Sequence, residues 1–240
     1  MKVQSQSPFV RALLVSVVSA CIGLAAVTAD AEAQRRNQQE QEQNDENRTF
    51  STAIGELVLR AQEQLQADDF AGARQTLTQA LTRSPSPYES GVIYAQRARA
   101  NWALEDVDAT ISDFRAAINS GGLNANEIRD IRVNVGQILI SLDRINEGIR
   151  ELETAIAEGA TVNTGIAKLL AIAYAQADRF RDGLRYAEQW YAATPRPSLG
   201  EYNIILIYYQ QLDRPADELR VVRQQVDQYP QERTPWANLV

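Results

Sequence analysis

The sequence predicts an all-α chain, an α-solenoid of antiparallel helix pairs, and three observations carry that prediction. Alanine, glutamine, leucine and arginine, all good helix formers, dominate its 240 residues, with only 12 Gly and 8 Pro. The stretch from Ile166 to Pro195, IAKLLAIAYAQADRFRDGLRYAEQWYAATP, reads as two amphipathic helices broken at Asp178-Arg179. Leu170, Ala171 and Tyr174 share a face of the first helix, and Phe180, Gly183, Ala187 and Trp190 recur at helical spacing along the second. The same frame returns five times: its close-packing position steps Ala61, Ala98, Gly136, Ala171 and finally Leu206, at intervals of 37, 38, 35 and 35.

Taken in order, residues 1–33 read as a secretory signal peptide. Lys2 and Arg11 supply its positive start, Leu13 to Val27 an apolar run too short to span a bilayer, and Ala29-Asp30-Ala31 and Ala31-Glu32-Ala33 two small-x-small cleavage sites. Val18-Ser19-Ala20-Cys21 also resembles a lipobox, which would lipidate Cys21. The apolar run continues past it, so Cys21 reads better as a small apolar residue. Residues 34–48 contain no apolar side chain and read as a disordered polar spacer, because such a segment cannot offset its ordering entropy by burial.

The array then occupies residues 49–240. Repeat one, about 53–85, opens at an N-cap offered by Thr49 or Ser51 and carries Ala61, Ala73, Leu77 and Ala80, with Phe70 in its turn. Repeat two, about 87–122, carries Tyr94, Ala98, Thr110, Phe114 and Ala117 and ends at Gly121-Gly122, where glycine caps a helix. Repeat three, about 125–160, carries Val135, Gly136, Leu139, Gly148, Leu152 and Ala155. Repeat four is about 162–195, and repeat five, about 198–230, carries Tyr202, Leu206, Tyr209 and Val222. A sixth would start at 233–240 with Trp236 and Leu239. Leu219, Val222 and Val226 share a face of the last full helix and read as an apolar end in need of cover, by self-association, a partner or further repeats.

Composition excludes several functions. The net charge is −7 with no basic stripe, which disfavours nucleic acid and anionic lipid. There is no histidine, so the usual general base and zinc ligand are missing, and the single cysteine lies in the leader. Asp68-Asp69, Asp106 and Asp108 fall in helix–helix turns, where acids serve as N-caps. Glu40, Glu42, Asp45 and Glu46 read as a solvated tail, and Gly121-Gly122 lacks the Gly-Lys-Ser/Thr of a phosphate loop. No catalytic residue, metal or cofactor is expected, and the chain does not read as an enzyme.

Binding is the remaining class, and helical projection selects a stripe for it. Val58, Gln62 and Leu65 line it in repeat one; Ala95, Arg99 and Trp102 in repeat two; Val133, Gln137 and Ile140 in repeat three; Lys168 and Ile172 in repeat four; Asn203, Ile207 and Gln210 in repeat five. Trp102 and Arg99 are the expected anchors, since buried aromatics and arginines dominate binding energy. This amphipathic surface suits a protein or peptide of mixed character. Trp190, Tyr191, Tyr208 and Tyr209 read instead as inter-repeat core.

The large-small-aromatic frame closed by Pro195 resembles the tetratricopeptide (TPR) signature, with Ala171 in place of its first glycine, Gly183 of its alanine and Ala187 of its phenylalanine. The resemblance implies a right-handed superhelix whose concave face binds partners. A narrower likeness is to bacterial periplasmic TPR proteins found with TonB-type energy-transduction systems. It rests on Trp190, Tyr191, Pro197, Ser198, Tyr202, Tyr208, Tyr209 and Leu212, with Phe50-Ser51 and Asp69-Phe70 upstream. It implies a non-enzymatic accessory role in the periplasm, beside an outer-membrane transport system. An outer-membrane or cell-division assembly scaffold, or an accessory fragment of an enzyme, are the alternative readings.

Overall fold

The computed structural model describes residues 48–232. Among them every regular element is an α-helix: α1 Thr52–Gln66, α2 Phe70–Leu81, α3 Pro87–Ala103, α4 Val107–Asn119, α5 Ala125–Ser141, α6 Ile145–Ala157, α7 Thr164–Gln176, α8 Phe180–Ala192, α9 Leu199–Gln211 and α10 Pro215–Gln228. About ten helices and no strand are expected after residue 50, and the described residues hold ten helices and no strand. The leader, Cys21, the spacer up to residue 47, Trp236 and Leu239 lie outside the described residues. The described residues from Leu57 onward form one compact unit, which holds the helix stack.

Local chemistry starts α2 to α10. Ser86, Asn124 and Ser198 form capping boxes with Glu89, Glu127 and Glu201, and Asn163 accepts from the Ile166 amide. Asp69 and Asp106 cap α2 and α4 through the amides of Gly72 and Ala109, as the turn acids predicted. In the later repeats Arg144, Arg179 and Arg214 take that position without a side-chain cap. Each guanidinium instead pairs with the carboxylate three residues on, Glu147, Asp182 or Asp217, at 2.7, 2.8 and 2.5 Å. That pairing holds a negative charge in the first turn of the helix, where the macrodipole favours it.

Within each pair, one acidic residue turns the chain. Asp68, Glu105, Asp143, Asp178 and Asp213 all have φ between 53° and 62°, and they recur at the same 37, 38, 35 and 35 intervals as the close-packing positions. Between pairs two and three the glycines are structural rather than slack. Gly121, at φ 76°, follows the Ser120 C-cap, and a Cβ on Gly122 would lie 2.1 Å from the Tyr88 amide nitrogen.

The helices pack through small residues. Ala61, Ala98 and Ala171 are fully buried, and Gly136 is buried beside Leu152. One core cluster joins α3, α4 and α5 through Ala98, Phe114 and Leu139, and another runs from α5 to α10. Trp190, Tyr208 and Tyr209 are buried, as expected of inter-repeat core, while Tyr191 is half-buried. Ion pairs spaced about one repeat apart tie neighbours together: Arg74–Asp106, Arg115–Glu147 and Lys168–Glu201. The apolar face expected to stand open on α10 is mostly covered. Val222 belongs to the second core cluster and Val226 is buried, because both turn inward with Val221, and of the three Leu219 alone is exposed, at 38%.

Candidate functional site

The first helix of each pair presents the stripe selected by projection, and the structure divides it. The position just after the close-packing residue is the most regular: Gln62, Arg99, Gln137 and Ile207 are exposed and Ile172 half-buried. Leu65, Ala95 and Val133 are half-buried, and Asn203 is exposed. Val58 and Ile140 are corrections, buried at 3% and 8%. Ile140 packs over Gly148, where an added Cβ would lie 2.5 Å from its Cγ1, so the neighbouring helix covers the flank that projection assigns to solvent. Lys168 is committed within the fold: it bonds Glu201 at 2.6 Å and lies 5.5 Å from the Trp190 ring centre. The Gln210 amide donates to Glu218 at 2.7 Å.

Arg99 and Trp102, one turn apart on α3, face α5 across a cleft of about 450 Å³. Phe114 of α4 forms its floor, and Asn134, Gln137, Ile138 and Ser141 of α5 form the far wall. Trp102 keeps 48% of its surface exposed there, so its indole forms one side of the cleft rather than filling the gap between repeats. Asn134, Ile138 and Ser141 were missed by the projection. On α5 they follow Val133, Gln137 and Ile140 by one residue each, a rotation of about 100°. The missing signal is the position of α6, which covers the Ile140 side.

The cleft can accept an apolar side chain against indole, isoleucine and phenylalanine while the amides of Asn134 and Gln137 bond a peptide backbone. Arg99 adds the one charge among the lining residues. It makes no ion pair or hydrogen bond with the described residues.

A larger cleft, about 700 Å³, lies among α8, α9 and α10, but several of its polar groups are already bonded within the fold. The Tyr191 hydroxyl bonds Gln224, Tyr202 donates to Gln228 at 3.0 Å, and Glu188 holds Arg214 at 2.9 Å. Burial pushes the Tyr191 phenol up to about 12. A comparable knot joins α6, α7 and α8, where Glu153 accepts from Tyr174, Tyr186 and Arg185. Burial opposes the Glu153 charge, yet those three donors outweigh it and hold its carboxyl below the ordinary range. Such knots join helices. Among the described residues no group of three or more His, Cys, Asp or Glu is placed to hold a metal, and no helix is long and apolar enough to cross a membrane.

Helix pairs stacked at this period define the class: the fold is that of the TPR solenoids. Solved structures agree. YrrB, described as a TPR protein with an unusual peptide-binding site, is 14% identical over 80% of this chain and 97% of its own, with a TM-score of 0.58. MamA is 14% identical over 74% of this chain and 92% of its own, at 0.56, and a TPR protein from Parabacteroides merdae is 10% identical over 79% and 72%, at 0.57. No family model and no curated protein matches the chain.

Proposed function

We propose that this protein is a non-enzymatic TPR scaffold that binds a protein or peptide through the face carrying Arg99, Trp102 and Gln137. The observation that supports it is the half-exposed indole of Trp102 beside open amides in a cleft between repeats. An apolar ring left in water beside unused hydrogen-bonding groups is the make-up of a recognition site. The peptide-binding site named for YrrB, which shares the fold, points the same way.

The signal-like residues 1–33 support action in the periplasm, and the likeness around Trp190–Leu212 supports a place beside a TonB-type system. A lipidated Cys21 would instead make the protein an anchored envelope-assembly scaffold, and intact-mass measurement of the exported protein separates the two. Crosslinking and pull-down from periplasm tests the binding role. A partner so captured loses about 2 kcal/mol of affinity, roughly thirtyfold, with Trp102→Ala, while the helical signal and melting transition stay in place. Undiminished binding by that variant would move the contact to another face.

A further inference from the structure

The lining of the α3–α5 cleft is one-sided in charge. The chain carries 31 acidic residues against 24 basic ones, yet the seven residues around this cleft include Arg99 and no carboxylate. Most arginines of the helix stack are occupied: Arg97 is held by Asp113, Arg132 by Glu151 and Glu158, and Arg214 by Glu188 and Asp217. Arg99 lines this cleft with its guanidinium unpaired among the described residues; Arg196 does the same in the larger cleft, but Glu188 and Asp227 share that lining. The remaining polar lining groups, Asn134, Gln137 and Ser141, are neutral and cannot balance it.

We infer that the cleft selects peptide segments in which an acidic residue lies next to a large apolar one. This rests on the binding role proposed above and names the ligand chemistry for that site. The carboxylate takes the guanidinium, whose planar fork bonds it in bidentate fashion. The apolar side chain enters between the indole of Trp102 and Ile138, over Phe114. Arg99 and Trp102 are three residues apart on one helix, which sets their Cβ atoms about 5–6 Å from each other. Neighbouring side chains of one peptide therefore reach both. A lysine or arginine at the same place would meet Arg99 with no carboxylate in the lining to offset the repulsion. Charge thus acts here through discrimination, by excluding basic segments from an otherwise permissive amphipathic groove.

The test uses the full chain and three pools of labelled decapeptides randomised in order. One pool is built from glutamate, leucine, phenylalanine and serine; the second has lysine for glutamate; the third has only leucine, phenylalanine and serine. Fluorescence polarisation should show the glutamate pool binding about tenfold or more tighter than the lysine pool at low salt, the gap narrowing as salt screens it. Arg99→Gln should bring the two pools together, and Arg99→Glu should reverse their order. Both variants change an exposed side chain, and circular dichroism verifies their fold.

Equal or tighter binding of the lysine pool, or a glutamate preference that survives Arg99→Gln, overturns the inference. Failure of the glutamate pool to bind overturns it as well. The binding role is judged separately. If the apolar pool binds and Trp102→Ala abolishes that binding, the groove stands without its acidic preference. If Trp102→Ala changes no pool, the groove reading falls and the inference with it.

Discussion

Gly183 of α8 offers the sharpest test of how the pairs close. A Cβ at this position would stand 2.4 Å from the Tyr174 Cβ of α7 and 2.3 Å from the Tyr208 hydroxyl of α9. The Tyr208 ring is fully buried, and its hydroxyl donates to the Ala171 carbonyl at 2.5 Å. A Cβ cannot swing away as a side-chain tip can, so α7 and α8 must separate to admit a methyl group. Gly183→Ala therefore overpacks the pair, at a cost of about 1–3 kcal/mol. Displacing a buried hydroxyl from its acceptor adds about 1–3 kcal/mol. Better helix propensity returns about 1 kcal/mol. The net loss is about 3 kcal/mol, within a span of roughly 1–5. Urea unfolding followed by circular dichroism measures it. Gly200→Ala on α9 is the control, since no atom lies within 4 Å of its added Cβ. It should be neutral or stabilising by up to about 1 kcal/mol. Tyr208→Phe removes one of the two clashes, so Gly183→Ala should cost less in that background. If Gly183→Ala stabilises the protein as Gly200→Ala does, the close approach of α7 to α8 is refuted.

Three further outcomes are expected. Asp178 holds a positive φ of 54°, so Asp178→Gly should raise stability by up to about 1 kcal/mol and Asp178→Val should lower it, read as opposite shifts in thermal midpoint. Asp113 is buried and accepts from Arg97 twice, at 2.8 and 2.6 Å, and from Asn101 at 2.9 Å; Asp113→Ala should cost about 3 kcal/mol, against less than about 1 for Arg185→Ala at an exposed pair, and equal losses in denaturant melts would contradict this. Hydrogen bonds from Lys168 and Ser198 lower the Glu201 carboxyl from 4.5 to about 2, so its contribution is present above pH 4.5 and is lost as pH falls from there towards 2. Trp190 fluorescence should follow that loss, because Lys168 lies over the indole, and Lys168→Gln should move the midpoint up towards 4.5; an unmoved midpoint would separate the two events.

How far the sequence could be read depended on how local each feature is. The capping acids were visible because a cap is a matter of a few adjacent residues: Asp69 and Asp106 cap helices through amides three positions on, whereas the positive φ of Glu105, Asp143 and Asp213 was not read from the sequence. The small positions were visible because helices can pair closely only where side chains are small, and the 37, 38, 35, 35 spacing repeats that need. Buried Trp190, Tyr208 and Tyr209 followed from apolar periodicity. The groove was legible only in part. Arg99, Trp102 and Gln137 meet in one cleft as their shared stripe suggested, whereas Val58 and Ile140 are buried and Lys168 is tied to Glu201.

Sequence by itself therefore determined the helix count, the capping acids, the close-packing positions and the all-α class, since each depends on periodicity or on contacts a few residues apart. Tertiary structure alone decided which flank of a helix remains in water. That depends on the helix packed alongside: over Ile140 it is α6, which closes one side of α5 and leaves Asn134, Ile138 and Ser141 to face Trp102. It also decided which charges are spent within the fold. Lys168 and Glu201 are 33 residues apart in the chain, and only stacking one pair on the next brings them to 2.6 Å.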